Sequence, residues 1–240
     1  MGFVAIVGSA FDHSAVEFAA RWRSHGARLI DVDDLSTRGW SVRPGCSHGS
    51  TAVLDGSVVP CDEIVGVITT RPAVLEQELR NVVPADRIYV AGEMSAFLLA
   101  WLSGLSCPVI NPPTATCLCG PAWPIERWLN VASSLRIPIN PAFLLAKLHG
   151  TGPDSVPQCA TSVLDDAASV DADECLLVYT GALARAAGTA FLTATFDSNQ
   201  PDGRLLYANC VPDLSSPAIT ALLASYFFSE GKPPAADPLS

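Results

Sequence analysis

Residues 3–35, FVAIVGSAFDHSAVEFAARWRSHGARLIDVDDL, decide the fold class. Phe3–Val7 is an unbroken apolar run followed by Gly8. Such a run fits a strand buried on both faces better than one exposed to water on one side. Asp12 can cap a helix over His13–Ser24, with Val16, Phe18, Ala19, Ala20 and Trp22 on a broad apolar side. Gly26 stops it. Arg28–Val32 is a second strand. Strand, helix and strand in this order open a parallel, doubly wound sheet.

Working outward, Thr51–Leu54 and Ser57–Val59 flank Asp55-Gly56, a two-residue hairpin signal. Ile64–Thr69 reads as another buried strand and Asp86–Leu105 as the longest helix. Pro108–Ile110 is a short strand, Asn111–Pro124 an aperiodic loop and Pro124–Leu135 a helix with proline in its first turn. Residues 150–160 have the composition of a linker. Beyond them, Thr161–Leu164 and Cys175–Tyr179 are expected as strands and Ala182–Ala187 as a helix closed by Gly188. Thr189–Phe196 and Arg204–Cys210 are expected as an antiparallel pair. Ser215–Phe228 is the final helix, and residues 230–240 have the composition of a disordered tail.

The 240 residues are 49% hydrophobic and 16% charged, with mean hydropathy +0.32, which excludes a disordered chain. Fourteen basic against 24 acidic residues leave a net charge of −10. Neither nucleic acid nor an anionic membrane is an expected partner, since both require a concentrated positive field. A basic peptide or other cationic partner suits the sign better. The N-terminus has no basic leader, Ile6 breaks the myristoylation pattern, and the apolar run Phe97–Ile110 is too short to span a bilayer. A cytoplasmic location is expected, with the eight cysteines reduced. Cys117 and Cys119 form a lone C-x-C. With no C-x-x-C pair, no structural zinc site is expected, and most cysteines read as small buried hydrophobes.

Catalytic motifs are sparse. Gly45-Cys46-Ser47-His48-Gly49 matches the nucleophile elbow G-x-S-x-G, but a hairpin rather than a helix follows it. No two of His13, His25, His48 and His149 have metal-ligand spacing. There is no G-x-G-x-x-G and no phosphate loop. The only lysines are Lys147 and Lys232, and the twelve arginines are dispersed.

Three segments, in order, resemble RimK-type ATP-grasp ligases, most closely the subgroup found with ribosomal-peptide natural-product pathways. The first is residues 3–35. The second is VGVITTRPAV (65–74) followed by residues 84–139, with Arg71 after a strand, Asn111-Pro112 after the next, the Gly120-Pro121 loop and a Trp-bearing helix. The third is residues 182–227, which resemble the terminal strand pair and helix of the grasp domain. The resemblance implies an α/β fold: an N-terminal Rossmann-like pre-ATP-grasp lobe (1–140), a small α+β remnant of the C-terminal lobe (141–229) and a tail (230–240).

The departures carry as much meaning. The family holds magnesium with an acidic residue two before an asparagine on the final strand. Here Leu206-Tyr207-Ala208-Asn209 keeps the asparagine and puts Tyr207 at the acidic position, which supplies no hard anionic oxygen. Residues 140–175 are too short for a complete nucleotide-clasping lobe and contain one lysine. The chain therefore resembles a degenerate, truncated ligase without catalytic residues, cofactor or metal site. The expected function is recognition of a ribosomal precursor (leader) peptide and its presentation to the tailoring enzymes of the pathway. Binding is expected by strand addition or in the cleft at the strand ends, at His13, Arg71, Asn111, Trp123 and Arg127. Two other readings stay open: a divergent enzyme that binds a nucleotide or small acid with Lys147 and Asn209, and a structural assembly subunit. A two-stranded sheet is marginal by itself, so a homodimer is expected.

Overall fold

The computed structural model describes residues 2–43, 46–140, 158–165, 167–168 and 173–228. Lys147, His149, Lys232, Gly45, most of the expected linker and the expected tail lie outside them. The chain divides into two compact units, Met1–Gly120 with Asp213–Ser240, and Pro121–Pro212. The helix after the Gly120-Pro121 loop thus belongs with the second unit rather than with residues 1–140, and the C-terminal helix belongs with the first.

The first unit is built on strands β1 (Phe3–Val7), β2 (Ala27–Ile30), β6 (Ile64–Thr69) and β7 (Val109–Ile110). They form an all-parallel sheet in the order β2-β1-β6-β7. Val4–Val7 are buried at every position, because the sheet is covered on both sides. One face carries Ala5, Val7 and Val67 against Leu98, Trp101 and Leu102 of α3 (Arg87–Ser103). Against the other lies α6 (Pro217–Phe228). A Cβ at Gly66 would run into the Phe227 ring, and Phe228 stacks on Trp22 with ring centroids 5.0 Å apart. Glycine on β6 therefore makes room for the terminal helix.

Helix α1 (His13–Arg21) starts where expected, with Asp12 Oδ1 accepting from the Ser14 and Ala15 backbone N–H groups. It ends three residues early, passing into a 3₁₀ turn at Arg23–His25 before left-handed Gly26. The expected strand Arg28–Val32 stops at Ile30 because Asp31 caps a short helix, α2 (Val32–Ser36), in a reciprocal box with Asp34. Strands β3 (Ser41–Arg43), β4 (Cys46–Leu54) and β5 (Ser57–Pro60) form an antiparallel sheet. The Asp55-Gly56 turn has both residues at positive φ (51° and 72°), as a type I′ hairpin requires. Cys46–Gly49 run along β4, so no strand-to-helix elbow exists there.

Asp34 joins these pieces. Its carboxylate accepts from the Gly56 N–H (2.7 Å) and the Asp55 N–H (3.1 Å), pinning the hairpin turn to α2. Burial pushes its pKa up, against the backbone donors that pull it down.

The second unit has an antiparallel sheet in the order β11-β10-β8-β9, from β8 (Cys159–Leu164), β9 (Ala167–Ala168), β10 (Phe191–Phe196) and β11 (Leu205–Asn209). Helix α4 (Ile125–Ser134) packs on β11, and α5 (Glu174–Ala187) on β8 and β10. Cys175–Tyr179, expected as a strand, is the first half of α5. Asp173 caps it, and Leu176, Thr180, Leu183 and Ala184 put a buried stripe on one side. A homodimer is expected only if β10 and β11 stand as an isolated strand pair. That pair sits in a four-stranded sheet covered by helices of the same chain.

Replacing Asp34 by Ala strands the Gly56 N–H, while the Asp55 N–H keeps Leu29 O as an acceptor, and should cost about 1–3 kcal/mol in urea unfolding. Because the folded pKa lies above the unfolded one, protonation favours the folded state. The Asp34 contribution is full below the unfolded pKa and declines as pH rises through the folded pKa. The stability gap between wild type and Asp34→Ala should therefore widen on acidification; a gap that narrows would contradict this account.

Candidate functional site

In open parallel sheets ligands collect outside the carboxyl ends of the strands, where the strand order reverses. Here β2 lies to one side of β1 and β6 to the other, so the reversal falls between the loops that follow β1 and β6. A cavity of about 680 Å³ opens at that point.

The loop after β1 is held by its own polar groups. Ser9 Oγ accepts from the Phe11 N–H, and Asp12 Oδ1 also accepts from Ser14 Oγ (2.6 Å). This leaves the Phe11 ring 57% exposed at the mouth, with the Arg80 guanidinium 4.5 Å above its centroid. Leu75, 55% exposed, adds a second apolar surface. The lip thus offers an aromatic face, an aliphatic side chain and a solvated cation.

Arg71 forms the floor. It is buried, with one guanidinium N–H donating to Gly8 O (2.8 Å), Nε donating to Ala73 O (3.1 Å) and Nη2 ion-paired with buried Glu78. Glu78 Oε2 also accepts from the Leu75 N–H. The guanidinium is committed to holding the loops, and Arg71 lines the crevice as a wall.

The other expected residues are dispersed. His13, exposed at the start of α1, lines a neighbouring groove of about 500 Å³ between α1 and the start of α6. That groove shares Phe11 and Asp12 with the crevice. Asn111 is fully buried after β7 and lines neither cavity. Trp123 and Arg127 belong to the second unit, with the Arg127 guanidinium 4.1 Å over the Trp123 ring and Trp123 against Trp128. Sequence reading missed Phe11, Leu75 and Arg80. A Phe immediately before the Asp12 cap was a visible signal for Phe11; nothing local marks Arg80.

The residues of the terminal strands do not fit a magnesium-nucleotide site. Tyr207 and Thr195, its partner across the ladder, carry hydroxyls and no carboxylate. Asn209 Oδ1 accepts from the Val211 N–H, closing a local turn. Among the described residues there is no lysine, and no three His, Cys, Asp or Glu side chains cluster as metal ligands. Also among them, no helix is long and apolar enough to cross a membrane.

No protein-family profile and no curated protein matches the chain. Solved structures do match it. Macrocyclase MdnC bound with precursor peptide MdnA, from Microcystis aeruginosa MRC, aligns at TM-score 0.66 and 13% identity, over 94% of this chain and 99% of that one. A RiPP-associated ATP-grasp ligase from Chryseobacterium gregarium, in complex with ADP and a leader and core peptide, aligns at 0.60 and 10%, over 97% and 98%. A RimK domain ATP-grasp protein from Sphaerobacter thermophilus DSM 20745 aligns at 0.50 and 11%, over 95% and 100%. The architecture is α/β, with parallel and antiparallel sheets, and it is the fold of ATP-grasp ligases. At these identities the likeness defines the fold alone.

The buried ion pair can be tested by stability. Glu78→Ala leaves the Arg71 charge uncompensated and should destabilise the protein by about 3–5 kcal/mol in chemical denaturation. The double variant Arg71→Met/Glu78→Leu removes the bare charge but also the bonds to Gly8 O, Ala73 O and the Leu75 N–H, so it should recover only part of that loss. Equal stability of Glu78→Ala and wild type would show that the pair does not hold the crevice.

Proposed function

We propose that this chain is a non-catalytic accessory protein that recognises a ribosomal precursor (leader) peptide and presents it to the enzymes that modify it. The observation that carries the reading is the switch-point crevice, with Phe11, Leu75 and Arg80 at its lip. An apolar peptide side chain would pack on Phe11 and Leu75, and an adjacent acidic side chain would pair with Arg80. This local preference differs from the basic partner that net charge alone suggests. The peptide would continue along the neighbouring groove past His13. In the second unit, Trp123 with Arg127 offers a further surface for a planar or acidic side chain.

Two things support the reading. Solved proteins of this fold are described as complexes with precursor peptides. By the family resemblance the acidic magnesium position falls at Tyr207, which carries no carboxylate, so the reading of lost chemistry rests on a missing donor and not on missing length. Peptide recognition needs neither a metal nor phosphate-binding lysines.

Fluorescence anisotropy with a labelled candidate ribosomal precursor (leader) peptide tests the proposal. Saturable binding is expected, with Phe11→Ala and Arg80→Glu each weakening it about tenfold or more, the latter more strongly at low salt. Both side chains are exposed, so the melting temperature should be unchanged. Unaltered affinity in both variants, or no peptide binding at all, would overturn the proposal.

A further inference from the structure

The loop between β7 and α4 contains a chemical feature that peptide recognition does not use. The Sγ atoms of Cys117 and Cys119 lie 3.6 Å apart. Cys117 is 5% exposed and Cys119 fully buried. The loop is fastened on both sides of the pair. Thr114 and Cys117 exchange backbone hydrogen bonds of 2.8 and 3.3 Å, and Thr114 Oγ1 reaches Cys117 O and Gly120 O, each at 3.4 Å. Between the cysteines, the Leu118 N–H donates to Pro72 O (2.9 Å), and Leu118 is buried in the main core. This anchoring keeps the two sulfurs facing each other.

We propose that Cys117 and Cys119 are a modification site, a dithiol oxidised to an intramolecular disulfide by hydrogen peroxide. Cys117 is the attacking sulfur and Cys119 the resolving one. The Cys117 thiolate attacks one peroxide oxygen, the O–O bond breaks, and the departing hydroxide takes a proton to become water. Cys117 is left as a sulfenic acid, oxidised by two electrons while the peroxide is reduced. Cys119 then loses its proton and attacks the sulfenic sulfur. The S–O bond breaks, a second water leaves, and the S–S bond forms. The sum is two thiols and one peroxide giving one disulfide and two waters.

The assignment of roles follows from exposure, since Cys117 alone of the two reaches the surface. The Cys119 side chain and its backbone N–H, both beside the Cys117 sulfur, lower the Cys117 pKa to about 6, which favours the thiolate there. Peroxide is close to water in size, so the slight exposure of Cys117 suffices for attack, whereas bulky disulfides and alkylating reagents are kept out. Bond formation draws the sulfurs from 3.6 Å to about 2.05 Å. The resulting shift passes through Leu118 to Pro72, which lines the crevice.

Peptide mapping of the intact protein tests this. After brief peroxide treatment, acid quench, unfolding and alkylation, trypsin should release residues 88–127 with Cys117 and Cys119 joined and Cys107 alkylated. The disulfide should form before Cys175, the exposed cysteine on α5, is oxidised. Its rate should fall as pH is lowered through 6. In Cys119→Ser the product should change to a sulfenic acid on Cys117, trapped by dimedone present in the unfolding buffer. Should Cys117 and Cys119 both remain alkylatable in the wild type while Cys175 is oxidised, the proposal is wrong. It is also wrong if the disulfide joins either to a third cysteine.

Discussion

The guanidinium of Arg71 holds the functional end of this protein together. It ties the end of β1, through Gly8 O, to its own loop, through Ala73 O, and to Glu78 in the turn beyond. An arginine buried at this depth is tolerable only when its donors are matched, and the planar fork meets three partners that no lysine could span. With it in place, the loops after β1 and β6 stand apart and the crevice stays open between them. Leu118, hydrogen-bonded to Pro72 O, holds the same strap from the other side.

In the proposed role, that architecture separates recognition from chemistry. The crevice is shaped by backbone carbonyls and one buried ion pair, all within the first unit. The terminal strands of the second unit, which resemble those that carry the metal ligands in RimK-type ligases, carry hydroxyls and an asparagine turned to its own backbone. A site of the first kind survives loss of the second, because none of its supports is a metal ligand. This is the physical content of the proposed role. The fold of a ligase presents a preformed pocket, and the electrostatic machinery for phosphoryl transfer is a distinct set of side chains.

Much of the fold was legible because local chemistry and long-range packing agree. The Phe3–Val7 run, the Asp12 cap and the Asp55-Gly56 turn each determine their own conformation, and the tertiary structure accepts them unchanged. Where they disagree, the reading failed for identifiable reasons. Cys175–Tyr179 looks like a strand by its Val and Tyr content. Asp173 at the cap and the spacing of Leu176, Thr180 and Leu183 make it helical, and that period was present to be read. Asp31-Val-Asp-Asp-Leu was extended into β2 although it carries a capping box. The return of α6 to the first unit depends on Phe227 meeting Gly66 and Phe228 meeting Trp22, contacts far apart in the chain that no local pattern announces. For the same reason Arg71 could be picked out while its bond to Gly8, 63 residues earlier, could not. Arg80 acquired its meaning only once the fold set it over Phe11.

The central claim is that this chain holds a precursor peptide without turning over nucleotide. The most direct measurement is ADP release, followed together with the mass of the peptide, in a mixture of purified protein, precursor peptide, magnesium and ATP. The account predicts no ADP above the protein-free background and a peptide of unchanged mass, under conditions where the peptide is shown to be bound. Peptide-dependent ADP release accompanied by loss of water from the peptide would contradict it.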